Sequence, residues 1–166
     1  MMNKINLLFV TLFGIGYLKF APGTWASLVT SILLFIIFHV LNKSSTFVLL
    51  FLLIILIYSI FAINSCLKKF EDKDPKQIVI DEVIGQSIPI YLYEISHEIE
   101  KGFDKSILFY FFIFLLFRIF DILKPFPINY FDKKYKNTFG IMFDDILAGF
   151  YVVLTLILAM IVKNLL

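Results

Sequence analysis

An all-α, polytopic membrane protein with about four or five membrane-embedded helices is the fold class this sequence predicts, on three observations. Sixty per cent of its 166 residues are hydrophobic and the mean hydropathy is +0.91, well above the roughly 45–50% apolar usage of soluble domains. The apolar residues come in runs long enough to cross a hydrocarbon core of about 30 Å at about 1.5 Å per residue. Short polar turns join these runs, with no Ser/Gly/Pro-rich linker or block of like charge, so residues 1–166 read as a single membrane-embedded domain.

The N-terminal stretch, Met1 to Thr11, carries one lysine and a short apolar run without an Ala-x-Ala cleavage site, and is expected to be retained. Trp25 to Leu41 is the first expected span, entered from a Pro-Gly turn, with Trp25 as an interface anchor, and left through Asn42-Lys43-Ser44-Ser45. Thr46 to Leu67 follows, 22 residues without a charge. Ile78 to Tyr93 is short, opens with Asp81-Glu82 and contains Gly85 and Pro89, so it either crosses while packed against the other helices or dips in and returns. Ser106 to Leu123 and Ile146 to Val162 complete the set.

If all five cross, eleven Lys/Arg residues fall on one side and four on the other. The positive-inside rule makes the richer side cytoplasmic. The same assignment brings Gly14 to Thr24, Asp81-Glu82, Asp121 and Asp144-Asp145 into one layer at that boundary. A net charge of +2 gives no sequence-wide basic surface and argues against a nucleic-acid partner. Cys66, the single cysteine, excludes an intramolecular disulfide and reads as a packing residue.

Acidic residues in such segments are the candidates for chemistry. A carboxylate at the bilayer centre costs roughly 2.5–3.5 kcal/mol on insertion scales, so Asp81, Glu82, Asp121, Asp144 and Asp145 are expected to face protein, water or a cation. Asp81-Glu82-x-x-Gly85 and Asp144-Asp145-x-x-Ala148-Gly149 share a form in which a glycine follows the acids on the same helical face. There its missing side chain lets another helix or a ligand approach. Hard oxygen ligands of this kind suit magnesium or manganese. The competing reading is that helix N-termini attract acids through the helix dipole.

Arg118, Asp121 and Lys124 recur at intervals of three, on one face of a helix end that Pro125 and Pro127 then stop. They form either an internal ion pair or a further metal ligand with two cations for a phosphate. Ala21-Pro22-Gly23-Thr24 reads either as a plain interfacial turn or as an anion site, in which the threonine can cap the next helix and backbone N–H groups at Gly23 and Thr24 can receive the anion. Gly14-Ile-Gly16 lacks the third glycine of a dinucleotide fingerprint and the Walker lysine. His39 reads as an interfacial or packed residue and His97 as a solvated loop residue.

Taken in order, Gly14-x-Gly16 with Ala21-Pro22-Gly23-Thr24-Trp25, Asp81-Glu82-x-x-Gly85, Arg118-x-x-Asp121-x-x-Lys124-Pro125-x-Pro127 and Gly140-x-x-x-Asp144-Asp145-x-x-Ala148-Gly149 resemble the phosphatidylglycerophosphatase A family. Ala26 departs from the glycine common there, which bears on how closely the turn before it is approached. The resemblance implies an all-helical enzyme of the bacterial inner membrane. It would hydrolyse the terminal phosphomonoester of phosphatidylglycerophosphate with Mg2+, giving phosphatidylglycerol and inorganic phosphate. Two other classes remain: a small ion- or proton-coupled transporter, which would place acids nearer the bilayer midplane, and a non-catalytic membrane partner, which needs no acidic cluster.

Overall fold

The computed structural model describes residues 4–68, 70, 75–96 and 103–165. Among them the chain is helical, with α1 (Lys4–Val10), α2 (Pro22–Phe35), α3 (Ser45–Leu67), α4 (Ile80–Ser96), α5 (Phe103–Leu123), α6 (Ile128–Lys134) and α7 (Thr138–Leu165). A 3₁₀ turn covers Ile15–Tyr17, and a π-helical turn, Ile36–Val40, extends α2. Four segments are long and apolar enough to cross a membrane: Pro22–Val40, Ser45–Leu67, Asp104–Leu123 and Thr138–Leu165. The protein is a polytopic helical membrane protein. Its outer surface carries exposed Leu50, Ile54 and Phe61 from α3 and Ile157 and Leu158 from α7, residues that lipid solvates as well as a protein core does.

The remaining expected span, third in chain order, is α4, the helix around which the others are built. It packs against α2, α3, α5 and α7, and its Pro89 and Ile90 are buried. That surround explains how a segment with two acids, a glycine and a proline remains helical at this depth, because neighbouring helices shield what lipid would not tolerate. At one end of α4, Glu82 lies against Gly23 of α2. At the other, Glu94 pairs with His39 beyond the end of α2, Nε2 to Oε1 at 3.2 Å. The two helices therefore run side by side in the same direction over matching lengths. His39 is thus paired as well as packed, while His97 lies outside the described residues.

Two apolar clusters hold the bundle. Near the acidic end, Ala62, Ile63 and Cys66 of α3 meet Val83 and Ile84 of α4 and Ile141 of α7. Deeper in, Ile90 and Tyr93 of α4 pack with Ile113 and Phe117 of α5 and Val152 of α7. Cys66 is buried as expected.

Two helix starts and the placement of Lys124 differ from the sequence expectation, each for a local reason. The first expected span starts at Pro22, not Trp25: Pro22 occupies the first turn, Ala21 is the N-cap in a left-handed conformation at φ 46°, and no side chain caps it. Thr24 is therefore inside the helix and is not its cap. Proline suits this place because the first-turn N–H has no intrahelical partner to lose. The last span starts at Thr138, not Ile146. Asn137 Oδ1 accepts from Gly140 N at 3.0 Å and caps it. Asp144 and Asp145 accordingly sit about two turns inside α7, where the helix-dipole reading does not apply, whereas Asp81 and Glu82 do occupy the first turn of α4. Lys124 leaves the helix altogether: α5 ends at Leu123 and Lys124 turns left-handed at φ 41°, ahead of a proline that disfavours further α-helix.

Candidate metal and phosphate site

The site is built by close approach of backbones. A Cβ on Gly85 would stand 2.6 Å from the Asp145 carbonyl oxygen, and one on Gly149 would stand 2.5 Å from the Gly85 carbonyl oxygen. The missing side chains thus admit a helix, α7 against α4. One turn from that crossing, Asp81 and Glu82 of α4 meet Asp145 of α7, and each offers a carboxylate oxygen within 4.8 Å of the other two. Gly23 does the same for α2: a Cβ there would overlap the Glu82 carboxylate. The close approach at this turn is made by Gly23, and Ala26, fully buried, is accommodated one turn on.

A cleft of about 320 Å³ opens over these groups, and Gly23, Asp81, Glu82, Arg118, Asp121 and Lys124 line it together with Asp144 and Asp145. Every sequence-selected acid and both selected cations therefore reach one cavity at one end of the bundle. Thr24 does not line it. The five acids divide by partner. Asp121 Oδ2 accepts from Arg118 Nη1 at 2.8 Å, so the internal ion pair forms. Asp144 Oδ2 accepts from Lys124 Nζ at 2.6 Å. Asp81, Glu82 and Asp145 make up the group that could hold a metal ion.

Lys124 does not continue the face shared by Arg118 and Asp121, because its left-handed backbone turns the side chain toward α7. It bridges Asp144 and, at 3.0 Å, Asp132 of α6. Burial alone would lower the Lys124 pKa, but the charge and hydrogen bond of Asp144, with those of Asp132, raise it above the usual lysine value. Asp132 is held below the usual carboxylate range: its burial opposes this, and Lys124 and Lys136 outweigh it.

Three contributors were not singled out from sequence. Asp132 is separated from Lys124 by two prolines and a helix start, so no periodicity links them. Ser27 accepts a hydrogen bond from Arg118 Nη1 at 3.3 Å; the signal for it was its place one turn beyond Gly23. Lys76 lines the cleft, and its position five residues before Asp81 was the only hint.

The buried polar atoms left over indicate what the cleft can receive. Asp81 Oδ1, Glu82 Oε2, Asp144 Oδ1 and Arg118 Nε have no hydrogen-bond partner among the described residues. Buried acceptors without donors are costly, and an oxygen-only group of them matches the ligand preference of a hard divalent cation. Arg118 Nε is a spare donor beside them, suited to an anion.

A sequence model described as Phosphatidylglycerophosphatase A matches residues 8–160. The chain belongs to the phosphatidylglycerophosphatase A family. It is 40% identical to a phosphatidylglycerophosphatase A of Haemophilus influenzae over 93% of this chain and 87% of that protein. It is 31% identical to the Escherichia coli phosphatidylglycerophosphatase A over 90% of this chain and 79% of that protein. A Bacteroides thetaiotaomicron protein provisionally named a phosphatidylinositol-3-phosphatase is 32% identical over 89% of this chain and 88% of its own length. No solved structure matches the chain significantly. The family's span includes every residue of the cleft.

Proposed function

We propose that this member of the phosphatidylglycerophosphatase A family hydrolyses the terminal phosphomonoester of phosphatidylglycerophosphate, releasing phosphatidylglycerol and inorganic phosphate, with magnesium held by its carboxylates. The observation that carries the reading is one cleft at a bundle end in which an oxygen trio, Asp81, Glu82 and Asp145, lies beside Arg118 and Lys124. Carboxylates alone would repel a phosphate, and the basic groups alone would supply no metal. Together they suit a phosphomonoester with a divalent cation.

Asp81, Glu82 and Asp145 would hold the ion, with Asp121 and Asp144 beside them. A magnesium ion held there would supply Lewis-acid polarisation of a phosphoryl oxygen and activation of water. Arg118, already aligned by Asp121 and Ser27, would donate through its free Nε to a phosphate oxygen. Lys124 would neutralise charge on the departing phosphate while keeping Asp144 oriented. The start of α2 at Gly23 would add a backbone donor.

The lysine bias favours the cytoplasmic side for the cleft, and the bacterial relative fits an inner membrane, where a lipid headgroup would arrive from the bilayer surface. The gathering of the acids at one end of the bundle favours this over ion- or proton-coupled transport, which would spread them toward the midplane. The test is phosphate release by purified protein in mixed micelles with magnesium, comparing phosphatidylglycerophosphate with phosphatidylinositol 3-phosphate. Release from the first at a kcat/KM at least tenfold higher is expected. Release from neither, with solute or ion flux in sealed vesicles, would establish the transporter instead.

A further inference from the structure

A second cavity lies in the wall of the bundle between α2 and α5. It is a groove of about 280 Å³, almost wholly apolar, formed by Leu28, Ile32 and Phe35 on one side and Ile107, Phe111 and Phe114 on the other. Ile32 and Phe111 are half exposed on its rims, and Phe114 is buried in its floor. Its far end is closed by Phe35 against Tyr110, with ring centroids 5.3 Å apart and planes at 90°.

We infer that this groove seats one acyl chain of the phospholipid whose phosphate occupies the carboxylate cleft. The inference rests on the function proposed above and adds to it how the lipid enters: laterally, between α2 and α5.

Continuity carries the argument. The two helices run antiparallel and both have their cleft-side ends in the site: α2 begins at Pro22 and lines the cleft with Gly23, and the last two turns of α5, which ends at Leu123, line it with Arg118 and Asp121. Arg118 lines the cleft and donates to Ser27, and the next residue, Leu28, opens the groove. Five helical positions from Gly23 to Leu28 amount to about 7–8 Å, and the seven from Leu28 to Phe35 to about 10 Å. Measured from Gly23, the groove thus begins about halfway into one leaflet, whose share of the hydrocarbon core is roughly 15 Å, and reaches the bilayer midplane. A ligand that fills both cavities is an amphiphile with a phosphate at one end and a tail at the other. A partner helix is about 10–12 Å across and does not enter a groove of this size, whereas a single flexible tail does.

Ordinary hydrophobicity does not select the occupant, because a tail leaving the bilayer gains no transfer energy from an apolar wall. Any lipid tail can visit. Only one whose headgroup also reaches Arg118 is retained, so the groove acts by aligning a substrate already anchored in the cleft.

The experiment uses phosphatidylglycerophosphate with a diazirine on one acyl chain, photolysed with the full-length protein in mixed micelles, with adducts mapped by mass spectrometry. Adducts are expected at Leu28, Ile32 and Phe111, suppressed by unlabelled phosphatidylglycerophosphate and not by phosphatidylcholine. Adducts spread equally over Ile54 and Phe61 of α3, or unaffected by that competitor, would overturn the proposal. As a kinetic counterpart, Ile32→Trp should fill the groove and lower the ratio of kcat/KM for long-chain over dihexanoyl substrate about tenfold, the scale on which apolar pockets discriminate. Ile54→Trp should leave the ratio alone, and an unchanged ratio in Ile32→Trp would count against the groove. A protein that labels at the groove yet releases phosphate from neither substrate would refute the phosphatase reading and leave the lipid seat standing.

Discussion

Gly149 on α7 rests against the backbone carbonyl of Gly85 on α4, so closely that a Cβ on Gly149 would lie 2.5 Å from that oxygen. This contact fixes the spacing of the two helices that carry Asp81, Glu82 and Asp145. The obstructing oxygen is a backbone atom and cannot swing aside as a flexible side chain would.

Gly149→Ala and Gly85→Ala should therefore push α4 and α7 apart. Overpacking of this kind typically costs about 1–3 kcal/mol, read as a lower melting temperature in detergent. Activity should fall further than stability accounts for, because the carboxylate trio widens with the crossing. Retention of full activity by Gly149→Ala would show that the trio is positioned by something other than this contact.

Lys124→Ala should lower kcat by about 10²-fold, the usual scale for removing one charge-stabilising donor, while raising KM much less. It also strips Asp144 of its 2.6 Å partner. Lys124→Arg should restore charge without restoring turnover, since a planar guanidinium does not replace an ammonium that bridges two carboxylates. Asp132→Asn, which loosens only the outer half of the bridge, should cost less than tenfold on the same scale. Steady-state kinetics of the three variants distinguishes these outcomes, and equal losses in Lys124→Ala and Asp132→Asn would contradict the assigned roles.

Much of this arrangement was legible in the sequence because lipid penalises charge. Asp81, Glu82, Asp121, Asp144 and Asp145 stood out against apolar runs, and the structure brings all five to one cleft. The glycines after the acids signalled close approach, and Gly85 and Gly149 make it. Local geometry set by tertiary contacts was not legible. The i, i+3 spacing put Lys124 on the Arg118 and Asp121 face, but a left-handed turn before Pro125 sends it to Asp144 and Asp132. Thr24 looked like a cap, yet Pro22 already starts the helix. The start of α7 was misplaced because Asp144 and Asp145 looked like a boundary with water, when α4 and Lys124 are what shelter them.

The cytoplasmic orientation proposed for the cleft rests on the lysine bias and is open to labelling. In a Cys66→Ala background, cysteines at Lys76 and Lys134 should react with a membrane-impermeant maleimide only from the cytoplasmic side, and those at Lys43 and Asp104 only from outside. The first pair flank the cleft end of the bundle; at the opposite end, Lys43 follows the π-helical turn that extends α2, and Asp104 lies in the first turn of α5. Accessibility of Lys76 and Lys134 from opposite sides would break the single-layer site.

The central claim is that Asp81, Glu82 and Asp145 hold the divalent cation on which hydrolysis depends. Its most direct measurement is the magnesium titration of phosphate release and of melting temperature for wild type, Asp81→Asn and Asp145→Asn, in mixed micelles with phosphatidylglycerophosphate. Wild type should be inactive in chelator, gain activity with magnesium, and be stabilised by about 2.7 kcal/mol at a hundredfold excess over Kd. Both variants should lose the activity and the magnesium-dependent rise in melting temperature together, while still inserting. Wild-type magnesium dependence of rate and melting in Asp145→Asn would contradict the claim.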